Sequence, residues 1–287
     1  MKSHKTALSV LLILSALLVS CASVPPEIPE GGSLMPPEIS PVWNETDVPG
    51  LQILSEAGAG QPVGGAVLQL ELKYFDFFLT PPDPSGKGET RSLKTSEFAE
   101  FYDLLIAANA SPYADVDLFN RSDRPMDIVG LQINAGESVS EAVPHYDALY
   151  ILDDGQVMFS SQETIPAKTS QALGGFHLLL RAGENLGMDG KRHPRTAVGL
   201  SRDGKRFIIA VFDGRQANRA GLSTRECAAW MQWLGAYDAL NLDGGGSSTL
   251  VFNEKGTVRV LNSPIHRGKP GLERAVANHL GFRRKVP

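Results

Sequence analysis

The chain has 287 residues, 42% hydrophobic and 21% charged, which supports a packed core and excludes disorder of the whole chain. A net charge of −5 and a pI near 5.7 leave no chain-wide basic field for nucleic acid. Two cysteines exclude a disulfide-rich scaffold and a four-thiolate zinc site.

The N-terminus reads as an address. Lys2 and Lys5 precede Ala7–Val19, an apolar run broken only by Ser9 and Ser15. The run is shorter than the about 20 apolar residues a helix needs to cross a bilayer. It ends in Leu18-Val19-Ser20-Cys21, which resembles the bacterial lipobox, where a lipidated cysteine becomes the new N-terminus. The expected arrangement is a lipoprotein signal peptide over 1–20 and lipidation, palmitate included, at Cys21. Several acyl chains would anchor the protein stably to a membrane of the bacterial cell envelope. An ordinary signal peptide cut near Ala22, or an uncleaved anchor, would use the same residues. Pro25, Pro26, Pro29, Pro36, Pro37, Pro41 and Pro49 predict an extended tether over 21–50. Residues 51–287 then form one domain.

Val63–Phe78 predicts one or two strands, and the Pro- and Gly-rich stretch Thr80–Gly88 a loop. Phe98, Phe101, Leu104, Leu105 and Ala108 recur at helical spacing, so a helix is expected over Ser96–Ala108 with Ser96 as N-cap. Asp153-Asp154-Gly155 between Ala148–Leu152 and Gln156–Ser160 predicts a hairpin, and Leu178–Arg181 a short strand. Asp203-Gly204 predicts a two-residue turn between Thr196–Ser201 and Lys205–Phe212. That register sets Arg195 opposite Phe212, so His193 and Arg195 reach the same sheet end as Asp213. Phe207–Phe212 is apolar on both pleat faces, as a central strand covered on both sides should be.

A helix follows. Ser223 and Glu226 make a capping box, Cys227, Trp230, Met231 and Leu234 line one face, and Gly235 stops it. Cys227 is thereby a core residue rather than a nucleophile. Asp238–Leu242 is a strand that ends at Asp243. Strand, helix, strand predicts a βαβ crossover with parallel strands. The expected fold class is α+β (mixed α/β): a mixed sheet with a parallel βαβ element and antiparallel hairpins, with helices packed on it. Asp213 and Asp243 then share the rim where open α/β sheets bind ligands.

Both aspartates precede glycine, in Asp213-Gly214-Arg215 and Asp243-Gly244-Gly245-Gly246-Ser247-Ser248. Bare amides in the second stretch suit a phosphate or sugar oxygen. It lacks the Gly-Lys-Ser/Thr ending of a P-loop and the Gly-x-Ser-x-Gly of a nucleophile elbow. The same residues also read as a glycine turn between strands, with aspartates that cap local amides.

In order along the chain stand His193-Pro194-Arg195-Thr196-Ala197, Asp213-Gly214-Arg215, Gly221-Leu222-Ser223, Leu242–Ser248, Asn262 and Glu273-Arg274-Ala275-Val276-Ala277-Asn278. The set resembles the phosphodiester glycosidase family, densely over about 174–282 and more loosely over about 63–173. Asn109-Ala110-Ser111-Pro112-Tyr113 departs from the family's early Asn-Gly-x-Phe/Tyr-Phe pattern, and Ala275 stands where proline is frequent. The resemblance implies hydrolysis of a sugar-1-phosphodiester at the anomeric carbon. Arg195 and Arg274 would grip the phosphate, with Gly244, Gly245, Gly246, Ser247 and Ser248 as further donors. Asp243 is the first choice for the carboxylate at the anomeric carbon, then Asp213, then Glu273. His193 would donate to phosphate or shuttle a proton. Asn109 and Asn278 would orient sugar or carboxylates. No cofactor is expected, and no ligand spacing calls for a metal, although aspartates could hold a divalent cation. The expected partners are a carbohydrate phosphodiester and, through the N-terminal lipid, a membrane. A non-catalytic envelope glycan-binding lipoprotein and a metal-assisted phosphodiesterase are the rival readings.

Overall fold

The computed structural model describes residues 34–54, 63–114 and 119–285. The expected signal peptide, the lipidation site Cys21 and the first part of the tether lie outside the described residues.

Strands dominate the fold, and every pair of neighbouring strands in its sheets is antiparallel. The largest sheet has eight strands, in the order Trp43–Glu45, Leu51–Leu54, Gly65–Glu71, Arg206–Phe212, Arg195–Leu200, Asp238–Asn241, Leu178–Arg181 and Glu184–Asn185. One five-stranded sheet carries Ile106–Asn109, Leu250–Glu254 and His279–Arg284, and another carries Asp147–Leu152 and Thr169–Gly174. Among the described residues only Thr95–Phe101 and Thr224–Trp233 are α-helices.

This corrects the expected α+β class. Arg206–Phe212 and Asp238–Asn241 do run in the same direction, but they are not neighbours. Arg195–Leu200 lies between them and pairs antiparallel with both. The reason is that a strand has two hydrogen-bonding edges. The hairpin partner takes one edge of Arg206–Phe212, and Gly65–Glu71 takes the other. After the crossover helix, the returning strand can only add beyond the hairpin.

The hairpin register holds, with Arg195 opposite Phe212. Its turn is a four-residue loop over 202–205, closed by Ser201 N–H donating to Arg206 O at 2.9 Å. A loop symmetric about the same centre leaves the register unchanged. Phe207, Ile209 and Val211 face the smaller sheets, packing with Ile106, Leu250, Leu280, Leu149 and Leu173. Ile208, Ala210 and Phe212 face helix Thr224–Trp233 through Cys227, Trp230 and Met231. Each of the buried Phe, Ile, Val, Leu and Met side chains contributes roughly 1.5–3 kcal/mol by leaving water. The capping box is present, with Glu226 N–H on Ser223 Oγ at 3.2 Å and Ser223 N–H on Glu226 Oε2 at 2.8 Å. Burial pushes the Cys227 thiol up to about 12, so it is inert.

Two boundaries move. Helix Thr95–Phe101 starts after Lys94 rather than Ser96, and it stops before Leu104. The apolar run that follows becomes the buried strand Ile106–Asn109, because a short apolar run fits a doubly covered strand as well as a helix. The tether expected over 21–50 is also shorter. Trp230 Nε1 donates to Leu34 O and Trp233 Nε1 to Ile39 O, each at 2.7 Å, and Trp43–Glu45 pairs with Leu51–Leu54. Three residues free of proline suffice for an edge strand.

Candidate active site

The site forms where the largest sheet meets the sheet of Ile106–Asn109. Asn109 ties them together. Its Nδ2 donates to Asp243 O at 2.7 Å, and its Oδ1 accepts from Thr196 Oγ1 at 2.7 Å and Thr249 N–H at 3.1 Å. Asp243 N–H donates to Ala110 O at 2.8 Å. Asn278 is likewise fully used: Oδ1 accepts from Ser111 N–H at 2.8 Å, and Nδ2 donates to Ser111 Oγ at 3.0 Å and Gln132 Oε1 at 2.8 Å. Both amides are wholly buried. Buried, they present nothing to a sugar; of the roles expected of them, Asn109 keeps the positioning of Asp243, through its backbone, while Asn278 holds the loop at Ser111.

Asp243 leads into the tight turn Gly245–Ser247, where Gly245 has φ +63°. Two guanidinium groups lie against this turn because Gly245 and Gly246 carry no side chains. A Cβ on Gly246 would stand 2.2 Å from Arg274 Nη2, and one on Gly245 would stand 3.1 Å from both Arg215 Nη atoms. Arg215 itself sits at φ +59°, an unusual backbone state for a residue with a Cβ. Gly244 N–H, Ser247 Oγ, Arg274 and Arg215 all favour the charged form of the Asp243 carboxylate. Burial outweighs these effects and holds its pKa above the ordinary carboxylate range.

Each arginine is paired with an imidazole. Arg215 Nη2 lies 2.9 Å from His193 Nδ1, and Arg274 Nε donates to His266 Nδ1 at 3.1 Å. Burial and the neighbouring cations push both histidines below their usual pKa, so both are neutral near pH 7. Tyr113 closes the cluster, its hydroxyl 3.5 Å from Ser247 Oγ. Burial raises its pKa, against the opposing pull of Ser247 and Arg274. Ser248 Oγ is buried without a partner among the described residues. Two cations on one glycine turn suit an anion.

Three expected site residues point elsewhere. Asp213 is 1% exposed, and both its oxygens are occupied. Oδ1 accepts from Asn262 Nδ2 at 3.0 Å and Ser263 N–H at 2.9 Å, while Oδ2 pairs with Arg219. It anchors the chain at 262–263 to the rim. Glu273 caps helix Thr95–Phe101, its Oε1 accepting from Ser96 Oγ at 2.6 Å and its Oε2 from Ser96 N–H at 3.0 Å. Arg195 donates through Nε to Leu222 O at 2.9 Å and through Nη2 to Lys191 O at 3.3 Å. Thr196 faces Asn109, so pleat alternation sends Arg195 to the opposite, helix side. Arg215 stands in the place expected of Arg195. Its motif was visible, but its direction was not. Tyr113, part only of the departure from the family's early pattern, and His266, outside every motif, were brought in by the fold. Among the described residues, no group of three or more His, Cys, Asp or Glu could hold a metal ion.

The chain is an antiparallel β protein whose rim gathers Asp243, Arg215 and Arg274 about one glycine turn. A phosphodiester glycosidase family model matches residues 102–283, and the chain belongs to that family. N-acetylglucosamine-1-phosphodiester α-N-acetylglucosaminidase of Mus musculus is 30% identical over 105 residues, which cover 37% of this chain and 18% of the mouse protein. An SPβ prophage-derived protein of Bacillus subtilis is 35% identical over 89 residues, covering 31% of this chain and 12% of the prophage protein. The chain thus matches less than a fifth of the length of either relative. The fold is similar to that of the zebrafish N-acetylglucosamine-1-phosphodiester α-N-acetylglucosaminidase catalytic domain, with a TM-score of 0.63 and 20% identity. That likeness covers 86% of this chain and 89% of the zebrafish one.

Proposed function

We propose that this protein hydrolyses a sugar-1-phosphodiester at the anomeric carbon, on a cell-envelope or exogenous glycan. The observation that carries the reading is the packing of Arg215 and Arg274 against Gly245 and Gly246, in the turn that follows Asp243. The two guanidinium groups would hold phosphate oxygens, for which their planar forks are matched. As the C–O bond breaks, negative charge grows on the departing phosphate. Fixed cations there stabilise the transition state more than the ground state. Asp243 would serve the anomeric carbon as nucleophile or as base for water, and its raised pKa makes it a stronger base than an ordinary aspartate. A phosphate ester is a good leaving group and needs little protonation. That accounts for a site in which Asp213 and Glu273 are engaged elsewhere. His193, accepting through Nδ1, keeps its proton on Nε2, where it can donate a hydrogen bond to a phosphate oxygen.

Hydrolysis in isotopically labelled water should place the label in the released sugar. Label in the phosphate would establish P–O cleavage, the metal-assisted phosphodiesterase reading. Glycan binding without turnover, unchanged in Asp243→Asn, would establish a binding protein instead.

The lipobox-like Leu18–Cys21 supports anchoring by lipid at Cys21 in a bacterial envelope. Since Leu34 already packs on the body, only residues 22–33 would separate lipid from domain, a reach of at most about 40 Å. Cys21→Ser should accumulate as an unlipidated precursor of slower gel mobility. Membrane attachment equal to wild type would refute the anchor.

A further inference from the structure

His266 ends the two-residue strand Ile265–His266, which packs against the glycine turn Gly245–Ser247. It is 2% exposed. Its Nδ1 accepts from Arg274 Nε, so that nitrogen carries no proton and Nε2 does. The Nε2–H is buried without a hydrogen-bond partner among the described residues. A buried donor left unsatisfied destabilises the native state and calls for an explanation. An apolar side chain of similar size would fill the space without that penalty. The return on the imidazole therefore lies in the bond it does make. Arg274 Nε, held by Nδ1, cannot rotate its guanidinium away from Gly246, over which Nη2 lies.

We infer that His266 is a positioning residue for Arg274: its neutral imidazole, protonated on Nε2, fixes the guanidinium against the glycine turn for phosphate. This rests on the phosphodiester reading above. Arg274 and Arg267 are the cations beside the ring, and with burial they keep it neutral. An imidazolium could not accept from Arg274 and would repel it.

The test compares His266→Asn with His266→Leu in the full chain. Asparagine places an acceptor close to the position of Nδ1, whereas leucine fills similar volume with none. His266→Asn should keep kcat/KM within about threefold of wild type. His266→Leu should lose about 10²-fold, the cost of displacing a group that stabilises developing charge, chiefly as a fall in kcat. Its thermal midpoint should equal or exceed that of wild type, an outcome a purely structural histidine would not give. A second readout is independent of turnover. The nitrogen-15 Nε–H signal of Arg274, assigned by its loss in Arg274→Lys, should be resolved in wild type and His266→Asn and averaged with solvent-exposed arginines in His266→Leu. Wild-type kcat and an unmoved signal in His266→Leu would overturn the proposal. So would a His266→Asn indistinguishable from His266→Leu, or a His266→Leu that does not fold. If the signals behave as expected but wild type turns over no sugar-1-phosphodiester, the positioning role stands and the substrate reading fails.

Discussion

Asp243→Asn should lower kcat by between about 10²- and 10⁴-fold, the range that a positioned base or nucleophile contributes. Binding of inorganic phosphate should survive, since asparagine removes a negative charge from beside Arg215 and Arg274. The same substitution should raise the thermal midpoint at neutral pH. The sign follows from linkage. Folding raises the Asp243 pKa, so stability falls as pH rises from the ordinary carboxylate value of 3.8 through the folded value. At neutral pH the ionised group costs the native state, and asparagine removes that cost. Scanning calorimetry and steady-state kinetics on one preparation check both halves. A variant that is less stable and equally active would show that Asp243 is a turn-capping residue.

Arg215→Gln and Arg274→Gln should each lower kcat by about 10²–10³-fold, the usual effect of deleting one donor aimed at developing charge. They should also shift the pH profile. A base must be deprotonated, so kcat/KM falls as pH drops through the Asp243 pKa. Both arginines pull that pKa down against burial. Deleting either should move the acid limb to higher pH, with the larger movement for Arg274, the stronger of the two influences. A limb that stays in place or moves to lower pH would remove Asp243 as the titrating base.

Local features were legible where a short stretch decides its own geometry. The Arg195–Phe212 register follows from a symmetric turn, and the start of helix Thr224–Trp233 from a side chain bonding a backbone three residues away. Asp243 at a strand end beside a glycine turn was likewise visible. The directions of side chains were only partly so. Arg195 could have been assigned to the helix side from pleat alternation, given the contact of Thr196 with Asn109. Asp213 and Glu273 could not have been set aside. Their partners, Asn262, Ser263 and Ser96, lie 49, 50 and 177 residues away in the chain.

By itself the sequence determined the hairpin, the capped helix, the doubly covered central strand and the glycine turn with its aspartate. Each rests on interactions between residues close in the chain, where turn chemistry and periodicity suffice. Tertiary structure alone decided the strand order, and with it the all-antiparallel sheets, because edge occupancy depends on which distant strand arrives. It also decided which charged groups meet. Arg215, Arg274, His266 and Tyr113 converge on Asp243 because Asn109 joins two sheets at one rim, while the same assembly satisfies Asp213 and Glu273 elsewhere. A carboxylate or guanidinium acquires its role from the hydrogen bonds left open to it, and those are settled only when distant segments pack.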